Sequence, residues 1–228
     1  MVSRSEFHVN VENYNNVAET RHWSPVVMYN DSVLGYWWFG RWYNQTRVDG
    51  DPYFYGAYPA KFLERVEALM YPIFEEGMVL HLFSGSLKGN GENIFTLDIQ
   101  VHNICPKCGA LLINEECSKC DYRGEGMLWR APDIIADAAA IPIMDNTFDL
   151  ILADPPYEDN WKKYGTKRVK KRKALQECRR VLKPGGWLLW LDTIVPQWRS
   201  AEFQYRGVIA VQPSTNHRTR TLLFLQKV

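Results

Sequence analysis

The sequence of 228 residues lacks several features that would define whole classes of protein. No apolar run reaches the roughly 18 residues that are needed to cross a bilayer, and the first 16 residues contain no apolar core of a secretory signal. There is no internal repeat and no low-complexity tract. The net charge is only +1, so overall charge favours no particular partner. From these absences we expect a soluble, cytoplasmic protein.

The composition is that of an ordinary globular protein. Hydrophobic residues make up 46% of the chain and charged residues 23%, which is enough apolar material for one domain with a buried core. Two residue types are unevenly distributed. Eight of the twelve residues from Lys162 to Lys173 are basic, and ten of the 23 residues from Tyr36 to Tyr58 are aromatic. Both clusters are therefore candidates for function.

The hydrophobic pattern after residue 58 predicts alternating helices and strands. Apolar residues at helical spacing cover 59–76, and a second helix is predicted at 168–183, before a Pro-Gly-Gly stop. The predicted strands are 78–84, 94–99, 133–138, 148–154, 186–192, 207–212 and 218–228. Several are apolar almost throughout, as strands buried on both faces of a parallel sheet are. We predict an α/β fold with a Rossmann-like, doubly wound, seven-stranded and mostly parallel sheet, whose last strand is antiparallel.

The strongest motif is Asp154-Pro155-Pro156-Tyr157, at the end of the apolar run 148–154. Two prolines cannot continue a central strand, so the chain must leave the sheet here. The turn brings a carboxylate, a rigid carbonyl and an aromatic ring to the carboxyl edge of the sheet, where open α/β folds bind ligands. A strand-ending turn with a packed tyrosine is the alternative. We take the four residues as candidate catalytic residues.

The motif and its position resemble the class I S-adenosylmethionine-dependent methyltransferases that modify exocyclic amino groups. The signature of that family is Asp/Asn/Ser-Pro-Pro followed by an aromatic residue, after the fourth strand. The resemblance extends over residues 58 to 228 and implies S-adenosylmethionine as the cofactor. The residues that match its cofactor-binding positions are Tyr58, Pro59, Phe83, Ser84, Gly85, Ser86, Asp98, Ile99, Asp137, Ala138 and Asp154.

The resemblance also assigns a role to each group of cofactor residues. The segment that begins at Tyr58 would close over the methionine end of the cofactor. The small residues of the loop around Gly85 let the backbone approach a ligand closely. Asp98 would hold the ribose hydroxyls, because a carboxylate can accept two hydrogen bonds at once. Asp137 and its neighbour would contact the adenine.

The implied reaction is methyl transfer to an exocyclic amine of a nucleic-acid base, whose lone pair is conjugated with the ring. Hydrogen bonds to the Asp154 carboxylate and the Pro155 carbonyl would pull the nitrogen toward tetrahedral geometry, and Tyr157 would stack on the base. A base inside a duplex must be flipped out to reach such a pocket. The aspartate in the first position favours the 6-amino group of adenine over the 4-amino group of cytosine, and DNA is slightly favoured over RNA.

Four of the five cysteines form two Cys-X-X-Cys pairs with eight residues between them. In a chain without a secretory signal, such pairs favour metal binding over disulfides. Four thiolates around tetrahedral Zn²⁺ would make a closed structural site, and four reduced surface thiols are the alternative. The predicted zinc ligands are Cys105, Cys108, Cys117 and Cys120, in a zinc-ribbon-like insertion at 102–125.

The basic run follows the Asp-Pro-Pro-Tyr motif by a few residues, so it should lie near the mouth of the site. A nucleic-acid backbone would be attracted there, with a strong dependence on salt. A solvated helix face is the alternative. The candidate nucleic-acid contacts are Lys167, Arg168, Lys170, Lys171, Arg172 and Lys173.

The aromatic segment before residue 58 could stack unpaired bases or pack on the sheet. Only eight residues separate Gly85 from Ile94, where the family has a full helix, so one face of the sheet would lack cover. We therefore favour packing, with 1–58 as an aromatic-rich cover segment and 59–228 as the methyltransferase domain.

Two other functions remain open. One is methylation of a protein glutamine amide or a small molecule, which would need no basic run, although that branch usually has Asn in place of Asp154. The other is a non-catalytic, zinc-bearing subunit that binds nucleic acid. No large target-recognition domain follows the motif, so a partner subunit could supply recognition.

Overall fold

The structure is a computed structural model that describes residues 4–39, 58–59, 61–85, 87, 89–99, 102–104, 112–113, 116–117, 128–130, 132–157, 168–213 and 219–228. Its centre is a mixed nine-stranded sheet with the order β1-β2-β12-β13-β11-β10-β3-β4-β9. These strands are β1 Val26–Tyr29, β2 Ser32–Phe39, β3 Val79–Leu82, β4 Ile94–Asp98, β9 Ile134–Ile135, β10 Phe148–Ala153, β11 Leu182–Asp192, β12 Phe203–Pro213 and β13 Arg220–Lys227.

Most neighbouring strands of the large sheet run parallel. The pairs β9–β4, β4–β3, β3–β10, β10–β11 and β12–β2 are parallel. The last strand, β13, is antiparallel to both β11 and β12, as the sequence predicts. The mixed α/β sheet therefore fits a Rossmann-like methyltransferase fold.

The predicted number of seven strands is wrong, because an N-terminal hairpin adds two. In this hairpin β1 pairs antiparallel with β2, and β2 extends the sheet by running parallel to β12. Asn30 and Asp31 form its turn with φ values of 45° and 62°. Asparagine and aspartate tolerate this left-handed conformation, which tight two-residue hairpins require. The Asn-Asp pair was the available signal for the hairpin.

The described helices differ from prediction at three places. The N-terminal helix α1, Arg4–Arg21, was not predicted. The predicted helix 59–76 is two helices, α2 Phe62–Leu69 and α3 Ile73–Glu76, because a proline at position 72 disfavours helical backbone before it and lacks an amide donor. The second predicted helix is shorter than expected, as α4, Lys171–Val181.

Two strand boundaries also differ. Strand β9 is only two residues long, not 133–138, because residues 137–139 form a turn. Strand β11 starts directly after α4, at Leu182, instead of at residue 186. The register jumps from the Phe148–Leu182 pair to the Leu150–Trp187 pair. The segment Lys183–Gly186, predicted as a helix stop, is therefore an irregular part of β11.

The helices cover both faces of the sheet. Phe7, Val11, Tyr14 and Ala18 are buried at helical spacing on α1, in one core cluster with α2 and α3. On the other face, Ala174, Leu175, Cys178 and Val181 of α4 pack in a second cluster. The N-terminal helix thus packs on the sheet and the hairpin extends it, and the predicted boundary near residue 58 stays a prediction.

The aromatic segment divides between core and surface by strand alternation. Trp37 and Phe39 of β2 are buried, whereas Tyr36 and Trp38 between them are about half exposed. The residues 40–57, including Trp42 and Tyr43, lie outside the described part. For Trp37 and Phe39 the structure therefore agrees with packing.

The crossover from β3 to β4 contains no helix among its described residues. It is held by close backbone approach at Gly89, where an added Cβ would lie 2.3 Å from both Asp133 Oδ2 and the Ile94 carbonyl. Asp133 in turn accepts hydrogen bonds from the amide and hydroxyl of Thr96, both at 2.8 Å. Only glycine fits this tight connection.

The insertion 102–125 is described only as short backbone segments. Strands β5, His102–Ile104, and β8, Leu128–Arg130, pair antiparallel, and so do β6, Leu112–Ile113, and β7, Glu116–Cys117. The pair β5–β8 therefore begins at the first residues of the predicted insertion and is completed just after its last residue. None of the helices in the described ranges is long and apolar enough to span a membrane.

Candidate active site

The candidate site lies where the strand order reverses. From β3 the chain proceeds outward through β4 to β9, and then returns to β10 on the other side of β3. The neighbours β3 and β10 are parallel, with Leu82 paired to Ala153, so their following loops leave the sheet side by side. Ligands of open α/β sheets bind in the crevice at such a switch point.

The loop after β3 is tied to the end of β4. The amide of Ser84 donates to the Leu97 carbonyl at 3.1 Å, and the amide of Gly85 donates to Asp98 Oδ2 at 2.9 Å. Phe83 and Gly85 both have left-handed backbone, with φ values of 61° and 55°. The loop therefore turns sharply back against the Asp98 carboxylate, which also accepts the amide of Ile99 at 2.7 Å.

These residues fit a cofactor with hydroxyl groups and a flat base. The Ser84 side chain is 1% exposed and its Oγ has no hydrogen-bond partner. A carboxylate such as that of Asp98 is a hydrogen-bond acceptor that suits the hydroxyl groups of a ligand. Ala138 is buried and small. S-adenosylmethionine would be held by this loop and by the ends of β4 and β9.

The other residues predicted to bind the cofactor lie along the same edge or outside the described part. The amide of Ala136 donates to the Asp98 carbonyl at 3.0 Å, which joins the residue before Asp137 to the end of β4. Asp137 is exposed, and its Oδ1 accepts the amide of Ala139 at 2.9 Å. Ile99 is exposed as well. Ser86 lies outside the described residues.

The Asp-Pro-Pro-Tyr turn contacts the same loop. The amide of Asp154 donates to the Leu82 carbonyl at 3.4 Å. The hydroxyl of Tyr157 donates to Asp154 Oδ1, and none of the described residues donates to Oδ2. Pro155 is buried behind the turn, whereas Asp154, Pro156 and Tyr157 are partly exposed. Asp98 and Asp154 therefore flank one loop.

The environment of Asp154 changes its acidity. The pKa of Asp154 is raised from 3.8 to about 6, because burial, the largest cause, and the nearby Asp192 outweigh Arg220 and the Tyr157 hydroxyl, which lower it. Burial also raises the pKa of Tyr157 well above its ordinary value. At neutral pH the site therefore holds a carboxylate that is mostly ionised but protonates near pH 6.

Tyr58 lies at the same site. Its ring stacks on Phe62 of α2 at 4.9 Å between centroids and lies 6.2 Å from His81 of β3. Burial raises the pKa of Tyr58 well above its ordinary value, and the nearby Asp154 charge adds to the rise. Pro59 beside it is buried. The predicted closing segment therefore begins next to Asp154.

Asp192 and Arg220 lie at the site but were not predicted as catalytic or cofactor-binding residues. Asp192, at the end of β11, is 1% exposed and accepts hydrogen bonds from Lys171 Nζ at 2.6 Å and from the indole of Trp190 at 3.2 Å. The guanidinium of Arg220 lies 4.2 Å from the centroid of the Tyr157 ring. Asp192 had a usable signal, because it ends a buried parallel strand just as β10 is followed by Asp154. Arg220 had only the weaker signal of a basic residue at the start of the last predicted strand, because its contact with Tyr157 is made by the pairing of distant strands.

The basic run is only partly available for a ligand. Lys171 is paired with Asp192, and Arg172 forms a two-pronged ion pair with Glu202 at 2.6 and 2.7 Å. Arg168, Lys170 and Lys173 are exposed. Lys167 lies outside the described residues. Three of the six predicted nucleic-acid contacts are thus placed on the described surface with exposed side chains.

The zinc prediction falls outside the described side chains. Cys105, Cys108 and Cys120 are in undescribed segments, and only the backbone of Cys117 is described, in β7. Across the described ranges, no group of three or more His, Cys, Asp or Glu residues could hold a metal ion. Cys178 is a free, buried thiol on α4, as expected for a packed residue.

The sequence of residues 83–190 matches the family described as a methyltransferase domain. This match covers slightly less than half of the chain, and together with the mixed, mostly parallel sheet it supports a methyltransferase. The matched segment begins at the loop after β3 and ends on β11, so it includes both loops of the switch point. No curated protein matches the sequence.

Several solved methyltransferase structures resemble this chain at low identity. A SAM-dependent methyltransferase from Aquifex aeolicus is 16% identical, with 67% of this chain and 82% of that chain covered and a TM-score of 0.36. One from Methanosarcina mazei is 12% identical, with 70% and 98% covered and a TM-score of 0.38. The N-methyltransferase NodS from Bradyrhizobium japonicum WM9 is 13% identical, with 72% and 95% covered and a TM-score of 0.38. At these scores the likenesses add nothing to the assignment.

Proposed function

We propose that this protein transfers a methyl group from S-adenosylmethionine to an exocyclic amino group of a nucleic-acid base, with the 6-amino group of adenine favoured and DNA slightly favoured over RNA. The observation that carries the proposal is the Asp154 carboxylate at the switch point. It lies beside the Leu82–Gly85 loop, with one oxygen bonded to Tyr157 and without a described donor on the other.

The Asp154 carboxylate and the Pro155 carbonyl are the acceptors of this site. S-adenosylmethionine, when bound, supplies the methyl group and leaves as its thioether. Asp154 Oδ2 would accept one N–H of the amine, which localises the lone pair on nitrogen. The nitrogen forms one bond to carbon and gives up one proton, and a carboxylate with a pKa of about 6 is suited to accept it near neutral pH.

Tyr157 would stack on the substrate base while its hydroxyl stays on Asp154 Oδ1. The ring thus stands three residues after the acceptor carboxylate and is fixed to it by a hydrogen bond. Such a site receives a base that is flipped out or single-stranded. Correct alignment of the reacting atoms is the main contribution of the protein, worth about 7–11 kcal/mol in well-oriented reactions.

The ion pairs of the basic run support a second candidate function. Because Lys171 and Arg172 are bound to Asp192 and Glu202, the cationic surface is smaller than the sequence indicates. A protein amide or a small-molecule amine would need no such surface. A non-catalytic, nucleic-acid-binding subunit is the third candidate, and it differs from the other two in needing no cofactor.

Labelled S-adenosylmethionine, incubated with separate DNA, RNA, protein and metabolite pools, separates these functions. We expect label in nucleic acid, and digestion should identify the modified base. Label only in protein or in metabolites would replace the nucleic-acid proposal with the second candidate. Absence of cofactor binding in calorimetry would favour the non-catalytic subunit.

Asp154→Ala tests the assigned acceptor. We expect methyl transfer to fall at least about 100-fold, while cofactor binding stays largely intact, because the predicted contacts at the loop after β3 and at the ends of β4 and β9 remain. Asp145→Asn is the matched control, since Asp145 is an exposed acid in the loop before β10 and pairs with Arg180. Retained turnover in Asp154→Ala would contradict the proposed role.

We further propose that the four paired cysteines hold one structural zinc ion. Metal analysis of the purified protein should find about one zinc per chain. Substitution of Cys105 and Cys108 by serine should remove the metal, whereas Cys178→Ser, at the buried thiol on α4, should leave it. A folded protein without metal would contradict the zinc site.

A further inference from the structure

We propose that Arg220 is a positioning residue of the transfer site, which holds the Tyr157 ring by stacking on it and thereby fixes a positive charge near the Asp154 acceptor that this ring is bonded to. This inference rests on the proposed function, since it concerns the same carboxylate. It adds a residue that neither the sequence motif nor the matched methyltransferase domain, which ends at residue 190, contains.

The sheet fixes the place of Arg220. It is the first residue of β13, where its backbone pairs with Val211 of β12, and the next residue pairs with Asp192 at the end of β11. Because β13 is antiparallel to β11, its first residue lies at the carboxyl edge of the sheet. The Arg220 side chain is 8% exposed, so strand pairing and burial both restrict its position.

The guanidinium plane provides the contact with the ring. Its central carbon lies 4.2 Å from the centroid of Tyr157, a distance at which a cation is attracted by the negative face of an aromatic ring. Tyr157 is also held by its hydroxyl on Asp154. With a guanidinium against one face, a substrate base must stack on the opposite face of the ring.

The charge of Arg220 opposes the burial of Asp154. Several titratable groups face this carboxylate: Arg220 from β13, Asp192 from β11, Tyr157 from the same turn and Tyr58 from the segment before α2. Burial is the strongest influence and raises the pKa of Asp154, and Arg220 is the strongest influence that lowers it. Lys171 from α4 is paired with Asp192 at 2.6 Å, which partly offsets the other acid.

Loss of the positive charge should therefore make Asp154 harder to ionise. An opposite charge at close range typically moves a carboxyl pKa by about 1–3 units. In Arg220→Gln we expect the acid limb of methyl transfer, which should lie near pH 6 in the unsubstituted protein, to move upward by about one unit or more. Transfer at pH 7 should fall at least about tenfold, because the acceptor is less ionised and the ring is no longer held.

The experiment uses two independent readouts on the full-length protein. The first is the pH profile of methyl transfer from labelled S-adenosylmethionine to single-stranded DNA of mixed sequence. The second needs no substrate: NMR titration of ¹³C-labelled aspartate carboxyls, with the Asp154 signal assigned by Asp154→Asn. Arg199→Gln is the matched control, because it removes an exposed arginine and should leave both midpoints unchanged.

Arg220→Lys separates charge from stacking. Lysine keeps the positive charge but cannot present a flat guanidinium to the ring. We expect both midpoints to stay within about half a unit of the unsubstituted protein, while kcat falls about tenfold, as expected when a guiding contact of the site is lost. This variant also serves if Arg220→Gln does not fold. Unchanged kcat in Arg220→Lys would overturn the stacking role.

Unchanged midpoints in folded Arg220→Gln would overturn the charge role, even if the rate falls. Failure of the proposed function has a different signature. If no nucleic-acid pool is methylated but the Asp154 carboxyl still titrates higher in Arg220→Gln, the substrate assignment is wrong and the coupling between Arg220 and Asp154 stands.

Discussion

Within the described part of the chain, two arginines are buried against aromatic rings, and they differ in what else lies beside them. Arg220 stacks on Tyr157 and has the Asp154 carboxylate as its charged neighbour. This set of residues joins a cation, a ring and an acid at the edge where ligands bind. Its removal should alter chemistry more than folding.

Arg65 of α2 represents the other arrangement. It lies 4.3 Å from the ring centroid of Phe39 and within 5.6 Å of those of Trp23 and Trp37, and it is 6% exposed. Its Nε and Nη1 atoms are buried without a hydrogen-bond partner, and burial lowers its pKa from the ordinary value. No ion pair to it is present in the described part of the chain. Arg65 therefore packs α2 against the aromatic residues of the N-terminal cover segment, and the burial of its charge lowers the stability of the fold.

The largest expected effect on stability is at the rings around Arg65. Trp37 is fully buried between α1 and the sheet, and its neighbour Trp38 is 53% exposed on the opposite face. Trp37→Ala should lower the free energy of unfolding by about 3–5 kcal/mol. Trp38→Ala should change it by no more than about 0.5 kcal/mol. Chemical denaturation measures both, and equal losses would contradict the division of the aromatic segment.

The contrast between the central strands and the N-terminal elements shows which parts of the fold the sequence could predict. The strands β3, β10 and β11 lie at the centre of the sheet and are buried on both faces, so their apolar runs are continuous and stand out. The helix α1 has a polar sequence with one narrow apolar stripe, and its burial depends on a sheet face that no local pattern reveals. The hairpin β1–β2 was missed because its turn signal, Asn-Asp, is brief.

The residues of the candidate site also differ in how well the sequence could place them. Asp98 and Asp154 could be predicted because each stands at the end of an apolar strand, and the ends of parallel strands meet at one edge. The contacts of Arg220 with Tyr157 and of Lys171 with Asp192 could not, because they depend on strand pairing and on the placement of α4. The ion pairs of Lys171 and Arg172 could not be predicted for the same reason, since Asp192 and Glu202 are distant in sequence. Contact between the basic run and nucleic acid stays a prediction.

The second expected effect tests whether the Arg65 charge is needed. Arg65→Met keeps the length of the side chain and removes the buried charge, so it should change the free energy of unfolding by less than about 1 kcal/mol or stabilise the fold. Arg65→Ala removes the aliphatic stem as well and should cost about 2–4 kcal/mol. Loss of stability in Arg65→Met as large as in Arg65→Ala would show that the charge itself stabilises the cover.

The third expected effect is an increase in the free energy of unfolding, and it concerns Asp154. Its pKa is raised on folding from 3.8 to about 6, so folding favours the protonated form. The stability that this form contributes is full below about pH 4 and is lost as the pH rises through about 6. Asparagine cannot ionise, so Asp154→Asn should raise the free energy of unfolding at pH 7 by about 1–2 kcal/mol.

Asp154→Asn should also lose methyl transfer, because the ionised carboxylate that lowers the stability of the fold is the acceptor that the reaction needs. Denaturation of Asp154→Asn and of the unsubstituted protein at pH 4 and at pH 7 provides the check. The stability difference should close at pH 4, where both side chains are neutral in the folded state. A difference that is the same at both values would mean that ionisation is not its cause.

The smallest expected effect concerns the charges that point outward. Arg168, Lys170 and Lys173 are exposed, and substitution of all three by glutamine should leave folding intact. If they contact a single strand of nucleic acid, the slope of log K against log salt should decrease in magnitude by up to about 2. Arg199→Gln, at an exposed site between β11 and β12, should leave the slope unchanged.

Lys171 and Arg172 are kept in this variant, because their ion pairs hold Asp192 and Glu202 in place. An unaltered slope in the triple variant would identify the run as a solvated helix face. In that case these three exposed charges, unlike the buried Arg220, would have no part in the function of the site.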